Sequence, residues 1–277
     1  MAPSRPSIAD KRRTFAQLHE SGCFAIPNPF DVGSALFLQS LRFKAIATTS
    51  SGFAWTIGQA DNQVSREAVL THLAAIVDAT DIPVNADFES GFGTDAGGVG
   101  ESVRLAVATG IAGLSIEDST GIAARPLYAI DEAVARVRAA RRAIDQAGGD
   151  TLLVGRAECF LVGHPDLAET IARLKAYASA GADCLYAPGL RTQDDIRTVV
   201  AAVAPKPLNV LLWSPGDQTM QEFLELGVRR VSVGGALARA AWGGFIRAAR
   251  LIADQGRFDG LAGAAAGSEL NALFQAR

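Results

Sequence analysis

The chain has 277 residues, 49% of them hydrophobic and 7% aromatic, with a formal net charge of −3. That length suits one (β/α)8 barrel around a single large core. The slightly acidic balance excludes an electrostatic attraction to nucleic acid or to an acidic membrane surface, and no apolar run approaches the roughly 20 residues needed to cross a bilayer.

The first thirteen residues are polar and basic and lack the apolar stretch of a secretory signal, so a cytoplasmic protein is expected. Cys23, Cys159 and Cys184 are far apart and form no CxxC pair. Neither a disulfide framework nor a thiolate zinc site is indicated, which fits a reducing compartment. Eight short apolar runs read as strands: Cys23–Pro27, Ala45–Thr49, Pro83–Phe88, Gly113–Asp118, Leu152–Ala157, Cys184–Ala187, Leu208–Leu212 and Arg230–Val233. Amphipathic stretches between them read as helices, among them Arg66–Ala79, Val99–Thr109, Asp131–Ala147, Pro165–Ala180, Thr192–Val203 and Met220–Leu226. Apolar runs with little alternation imply burial on both faces, as in a parallel sheet. Eight βα periods predict a closed (β/α)8 TIM-type barrel, with an open doubly wound sheet as the alternative. No linker interrupts residues 1–277, so one domain is expected. Its end departs from the repeat: Ala236–Gln255 reads as the eighth helix, 256–267 as a Gly- and Ala-rich loop, and Ser268–Gln275 as a last helix carrying Leu270, Leu273 and Phe274. This extra helical segment, about 240–277, needs a surface to cover, either its own barrel or a neighbouring subunit.

In such barrels the chemistry sits where strands end. Asn85 and Asp87 share one face of the third strand because side chains alternate along it. Ser115 and Glu117 do the same on the fourth, about 4.8 Å away. Asp87 and Glu117 can therefore aim at one point, where two carboxylates repel unless a cation or shared proton relieves them. With oxygen donors and no His or Cys nearby, Mg2+ or Mn2+ is the natural cation. Loop capping or ion pairing is the competing role. Arg156, at similar depth on strand five, can clamp a substrate carboxylate or pair with Glu158 or Asp118. Thr49, Ser50, Ser51 and Gly52 offer hydroxyls and amides to an anion, or form an ordinary turn. Gly234-Gly235 before a helix has the look of a barrel phosphate site. His19, His72 and His164 lie away from strand ends and read as structural or exposed.

Taken together, Ile26-Pro27-Asn28-Pro29-Phe30-Asp31, Thr49-Ser50-Ser51-Gly52, Gly58-Gln59-Ala60-Asp61, Val84-Asn85-Ala86-Asp87 with Gly91-Phe92-Gly93, Gly113-Leu114-Ser115-Ile116-Glu117-Asp118 and Gly155-Arg156-Ala157-Glu158 form an ordered pattern. In it the chain resembles the isocitrate lyase/phosphoenolpyruvate mutase superfamily over nearly its whole length. The resemblance implies a (β/α)8 barrel in a homo-oligomer, dimer or tetramer, with last helices often swapped between subunits. It implies Mg2+ at Asp87, with Glu117 contributing directly or through water and Asn85 beside them. Asp61 matches an aspartate that reaches the metal's water shell or the substrate. Arg156 matches an arginine on the substrate's carboxylate and neighbouring oxygen. Ser50 and Ser51 match a carboxylate-holding segment, and Asn209 an asparagine lining the same pocket.

Three departures qualify it. The family's strand-three pair is Asp-x-Asp, and here the first position is Asn85, which lowers the site's charge. The lyases' Lys-Lys/Arg-Cys-Gly-His loop is replaced by Asp118-Ser119-Thr120-Gly121-Ile122-Ala123-Ala124-Arg125-Pro126, without Cys or His, and the phosphonomutases' Lys and Asn are missing too. The lyases' strand-six glutamate is absent from Tyr186-Ala187-Pro188-Gly189. The leading expectation is a Mg2+-dependent lyase that breaks a carbon–carbon bond in a small 2-oxo or 2-hydroxy dicarboxylate, oxaloacetate- or substituted-malate-like. Its catalytic residues would be Arg156, Asp61 and Glu117, with 119–125 as the lid. Carbon–phosphorus cleavage of phosphonopyruvate, a carboxylate-binding barrel without catalysis, and a phosphate-handling isomerase built on Gly234-Gly235 are the competitors.

Overall fold

Alternation along each strand decides which side chains meet the helices and which fill the barrel. In the computed structural model, which describes residues 5–275, all eight apolar runs form strands. They are β1 Phe24–Ile26, β2 Ile46–Ala47, β3 Val84–Asp87, β4 Gly113–Glu117, β5 Leu152–Arg156, β6 Cys184–Tyr186, β7 Leu208–Leu211 and β8 Arg230–Ser232. Every paired neighbour is parallel, in the order β1-β8-β7-β6-β5-β4-β3-β2. Across the remaining seam Ala47 N donates to Pro27 O at 3.1 Å, which closes the (β/α)8 barrel.

Outward residues such as Val84, Ala86, Leu114, Ile116, Leu153, Leu185, Val210 and Val231 pack with the helices in the main core. Inward, the lower end is filled by Ile26, Ala45, Ala47 and Ala112 around Phe15. Phe15 comes from a helix over Ile8–Leu18 that plugs the barrel's amino-terminal end. The polar start of the chain gave no reason to expect this helix. Its Ser7–Asp10 capping box starts it, and its charged residues do the docking: Lys11 Nζ donates to Val77 O at 3.0 Å, and Arg12 to Ile111 O and Val107 O at 3.0 and 2.9 Å. Small residues are required where Phe15 enters. A Cβ on Gly113 would stand 2.6 Å from Phe15 Cε1 and 2.9 Å from Asn85 Oδ1.

Strand two is shorter than its apolar run. Thr49 leaves the sheet to cap a helix over Ser50–Thr56, its Oγ1 accepting from Gly52 N at 3.3 Å. Against that helix lies His72 of the Arg66–Ala79 helix, stacked on Phe53 with ring centroids 3.9 Å apart. Among the described residues His72 Nε2 has no hydrogen-bond partner. Burial pushes its pKa down to about 4, with Asp31 opposing. The unfolded chain binds that proton near pH 6.5, so stability falls as pH drops from about 6.5 towards 4. In His72→Leu, the loss of unfolding free energy between pH 7.5 and pH 5 is expected to shrink by about 2 kcal/mol, measured by urea denaturation. An unchanged loss would show that His72 is already charged in the fold.

The carboxyl-terminal elements are Ala236–Gln255, a 3-10 turn at Asp259–Leu261 and Gly267–Gln275. The last helix lies beside the Val32–Ser40 helix, with Phe274 Cζ 3.5 Å from where a Gly33 Cβ would be. Ala236–Gln255 buries only Ala238 and leaves Trp242, Phe245 and Ile246 at 40%, 63% and 39% exposure. That is an apolar face unlike those of the other barrel helices. Among the described residues no helix is long and apolar enough to cross a membrane.

Candidate active site

β3, β4 and β5 end side by side, with Asp87 opposite Ser115 and Glu117 opposite Arg156. This register brings Asp87, Glu117 and Arg156 to one point, as the strand alternation predicted. Arg156 Nη1 stands 3.1 Å from Asp87 Oδ1 and 3.2 Å from Glu117 Oε2, while its Nε donates to Glu158. Its guanidinium carbon lies 5.0 Å from the centroid of the Tyr186 ring. Of the two ion pairs open to Arg156 in the sequence, only Glu158 is realised. Asp118 is instead a buried strut, accepting from Glu158 N at 2.8 Å, Tyr177 Oη at 2.5 Å and Arg173 Nη1 at 3.1 Å.

Asp87 is fixed from three sides. Thr48 Oγ1 accepts its amide at 2.9 Å, Ser50 N donates to its Oδ2 at 2.9 Å, and Arg156 holds Oδ1. The Ser50 amide expected to hold a substrate carboxylate is thus engaged by Asp87. Thr49, Ser50 and Ser51 line the cavity. Gly52 does not: it is buried behind Thr49, and a Cβ there would meet Thr49 Cγ2 at 2.5 Å.

Carboxyl groups outnumber cations at this rim. Burial drives Glu117 well above the ordinary glutamate range against the opposing pull of Arg156, and burial raises Glu158 likewise. Asp61, exposed on the loop after the Ser50–Thr56 helix, leans its carboxyl into the cavity, where desolvation first and Asp87 second raise its pKa. Glu89 is pushed up to about 8 by burial, then by Asp87 and Asp61. It stands with φ 47° in the left-handed region, as does Phe92 at 54°. Such strain persists where the surroundings over-determine the loop. Arg136 supplies part of that, donating to Ser90 O, Gly93 O and Thr94 O at 3.0–3.2 Å. Glu89 was passed over as a site residue; its signal is the tight Glu89-Ser90-Gly91-Phe92-Gly93 turn directly after Asp87.

One layer deeper the arrangement differs from expectation. Asn85, expected beside the metal, has Oδ1 3.4 Å from Arg230 Nη1 and Nδ2 donating to Ala86 O at 3.1 Å. Its oxygen faces the Arg230 cation. Asn209 is fully buried and does not line the cavity. It stands behind it, accepting from Arg230 Nε at 2.8 Å and donating to Ser232 Oγ at 3.0 Å. Arg230 also escaped the sequence reading. A charged residue inside an apolar strand of a barrel is the signal that would have found it.

The cavity lined by Ser50, Ser51, Asp61, Asp87, Arg156 and Arg230 has a volume of about 180 Å3, room for a small organic acid and not for a nucleotide. Among the described residues no three His, Cys, Asp or Glu side chains are arranged to hold a metal ion, and Nη1 of Arg156 bridges Asp87 and Glu117. The donor chemistry nonetheless fits a hard divalent cation: the groups are all oxygen, and several are held above their ordinary pKa by burial first and by neighbouring carboxyls second. The Gly234-Gly235 turn, by contrast, has no amide to offer at its start. Asn28 Oδ1 accepts from Val233 N and Gly234 N at 2.9 and 2.8 Å, and Asn28 Nδ2 donates to Thr48 O at 2.9 Å. The expected lid, residues 119–125, is a loop closed on itself by a Ser119–Leu127 bridge and by Thr120 N to Pro126 O at 2.9 Å. Its tip carries the exposed Ile122.

The profile of the phosphoenolpyruvate phosphomutase family matches residues 15–253. An uncharacterized protein of Mycobacterium tuberculosis is 32% identical over 243 residues, spanning 87% of this chain and 89% of its own. An oxaloacetate decarboxylase of Paraburkholderia xenovorans is 28% identical over 242 residues, 78% of this chain and 79% of its own. Among solved structures, a candidate lyase/mutase from Burkholderia cenocepacia J2315 superposes with a TM-score of 0.93 at 46% identity, covering 97% of this chain and 98% of that one. A 2,3-dimethylmalate lyase superposes at 0.84 with 25% identity, covering 98% and 95%.

Proposed function

Because the chain belongs to the phosphoenolpyruvate phosphomutase family, as a lyase or mutase of the isocitrate lyase/phosphoenolpyruvate mutase superfamily, we propose that it is a divalent-metal-dependent carbon–carbon lyase. Its substrate is a small 2-oxo or 2-hydroxy dicarboxylate, oxaloacetate- or substituted-malate-like. The observation that carries this reading is the meeting of Asp87, Glu117 and Arg156 at the strand ends, with Asp87 and Arg156 lining one small cavity. Relatives named as an oxaloacetate decarboxylase and a 2,3-dimethylmalate lyase support the choice of bond.

Asp87 and Glu117 would hold Mg2+, or Mn2+, with Asp61 and Glu89 adding negative charge around it. Asn85 is left out because its oxygen faces Arg230. A bound cation would supply Lewis acidity at the oxygen beside the scissile bond. The rest is done by the chain. Arg156 draws developing negative charge to its guanidinium and orients the carboxylate. The Ser50 and Ser51 hydroxyls line the same wall and fix the acid's position. Asp61, raised in pKa and open to the cavity mouth, is placed to hand a proton to the leaving fragment or take one from water. The 119–125 loop would exclude water when it folds over the mouth. The test is Mg2+-dependent release of pyruvate from oxaloacetate, or of a 2-oxo acid from substituted malates, above the rate of Mg2+ alone and abolished by EDTA. No excess over that background for any acid tried would sink it.

The family profile's own name favours a second reading, a carbon–phosphorus bond hydrolase or mutase acting on phosphonopyruvate. Phosphate release from that compound, without pyruvate release from oxaloacetate, would select it. The phosphate-isomerase reading loses its main support, since Asn28 engages the Val233 and Gly234 amides. The exposed Trp242, Phe245 and Ile246 face supports a homo-oligomer built through the 240–277 segment.

A further inference from the structure

Two guanidinium groups line the same cavity, and they are treated in opposite ways. Arg156 at the rim is matched by Asp87, Glu117 and Glu158. Arg230 on the floor is 2% exposed, and its hydrogen-bond partners carry no negative charge. They are Asn209 Oδ1 at 2.8 Å, Asn85 Oδ1 at 3.4 Å and His19 Nε2 at 3.4 Å. His19 Nδ1 lies 2.8 Å from Phe15 O. That places the proton on Nδ1 and leaves Nε2 as a neutral acceptor. Burial first, then Arg230, pushes the His19 pKa down to about 3, so it stays neutral. Among the described residues no carboxylate forms an ion pair with Arg230. Other buried guanidiniums are answered differently: Arg173 pairs with Asp118, and Arg136 fills itself with three loop carbonyls outside the cavity.

A buried cation without a counter-ion is costly and is kept where something else supplies the anion. Arg230 lines the cavity and is held in place by three neutral groups, so its charge is positioned and not cancelled. The departure at position 85 then has a physical cause. An aspartate at position 85 would stand against Arg230 Nη1 and neutralise it. Asn85 keeps the hydrogen bond and leaves the charge available.

We propose that Arg230 is an anion subsite on the cavity floor, taking one carboxylate of the substrate while the other, with its neighbouring oxygen, lies at the Arg156 end. Asn85, Asn209 and His19 are positioning residues for it. The inference rests on the small-acid reading above and narrows it: the substrate carries two acid groups, and one-acid analogues lack the floor contact.

The experiment is isothermal titration of the full-length protein, with saturating Mg2+, by malate and by lactate, which differ by the second carboxylate. The parent should bind malate at least about tenfold tighter, the discrimination of one charge-assisted contact. Arg230→Met and Asn85→Asp should each erase that preference while leaving lactate affinity within about twofold, with folding checked by circular dichroism. Should Arg230→Met fail to fold, Asn85→Asp decides alone, since it preserves interior volume and supplies the missing acid. A folded Asn85→Asp protein that still prefers malate as the parent does overturns the proposal. So does inorganic phosphate displacing malate at equal concentration, which would assign the subsite to a phosphoryl group. A protein that binds malate through Arg230 but cleaves no acid keeps this subsite and loses the lyase reading. One that cleaves oxaloacetate equally well as Arg230→Met does the reverse.

Discussion

Arg156→Met is expected to lower kcat/KM by about 100- to 1000-fold and the unfolding free energy by about 3–5 kcal/mol. Both effects have the same origin. Among the described residues, Arg156 is the one cation that touches Asp87, Glu117 and Glu158. It is also the group placed to receive charge from a breaking bond. Without it, Glu117 and Glu158 lose the influence that holds them down, and burial together with the neighbouring carboxyls acts on them unopposed. A carboxyl whose folded pKa lies above its unfolded value favours the fold at low pH, and that contribution fades as pH rises through the folded pKa. The variant should therefore regain stability on moving from pH 8 to pH 5.5, while its turnover stays lost. Arg156→Lys separates the two. A point charge restores part of the stability, but it cannot reach all three carboxylates and the substrate in the guanidinium's geometry. Urea denaturation at both pH values, beside turnover of the best substrate, checks this. Equal stability of parent and Arg156→Met at pH 8 would show that the carboxylates are balanced by another group.

Asp87→Ala should remove about 1000-fold of turnover, the several kcal/mol that a Lewis-acidic ion and its anchoring carboxylate supply together. The binding measurement is more direct. Electron paramagnetic resonance should count one Mn2+ per parent chain in the micromolar range and none in Asp87→Ala. Glu117→Gln should weaken the same ion less, because Asp87 keeps its place through Thr48 and the Ser50 amide. If Asp87→Ala binds Mn2+ as the parent does, the rim is not the metal site. The reading would then fall back to a cavity in which two guanidiniums alone act on an acid.

The barrel was legible because eight apolar runs and the helical periods between them are long-range regularities that no single contact can hide. The convergence of Asp87, Glu117 and Arg156 was legible for a similar reason: alternation and strand spacing place neighbours before any side chain is seen. What escaped depends on contacts that leave no period. The Ile8–Leu18 helix buries Lys11 and Arg12 against helix-end carbonyls, so its docking face reads as polar. Thr49–Gly52 looked like an anion loop, but Thr49 caps a helix and the Ser50 amide is taken by Asp87. Asn85 shares its face with Asp87, yet the residue that sets its role, Arg230, lies 145 positions away on the opposite side of the barrel. Position on a strand gives direction; only the folded barrel shows which partner waits there.

Asn28 has a consequence for engineering. One amide side chain ties the start of the turn after β8 to Thr48 beyond β2, so it stitches the same seam that Ala47 and Pro27 close. A designer wishing to convert this scaffold to phosphorylated sugars would have to free those two backbone donors first. Doing so would unpick the closure of the barrel, so the conversion would begin with a replacement staple on the opposite edge of that seam.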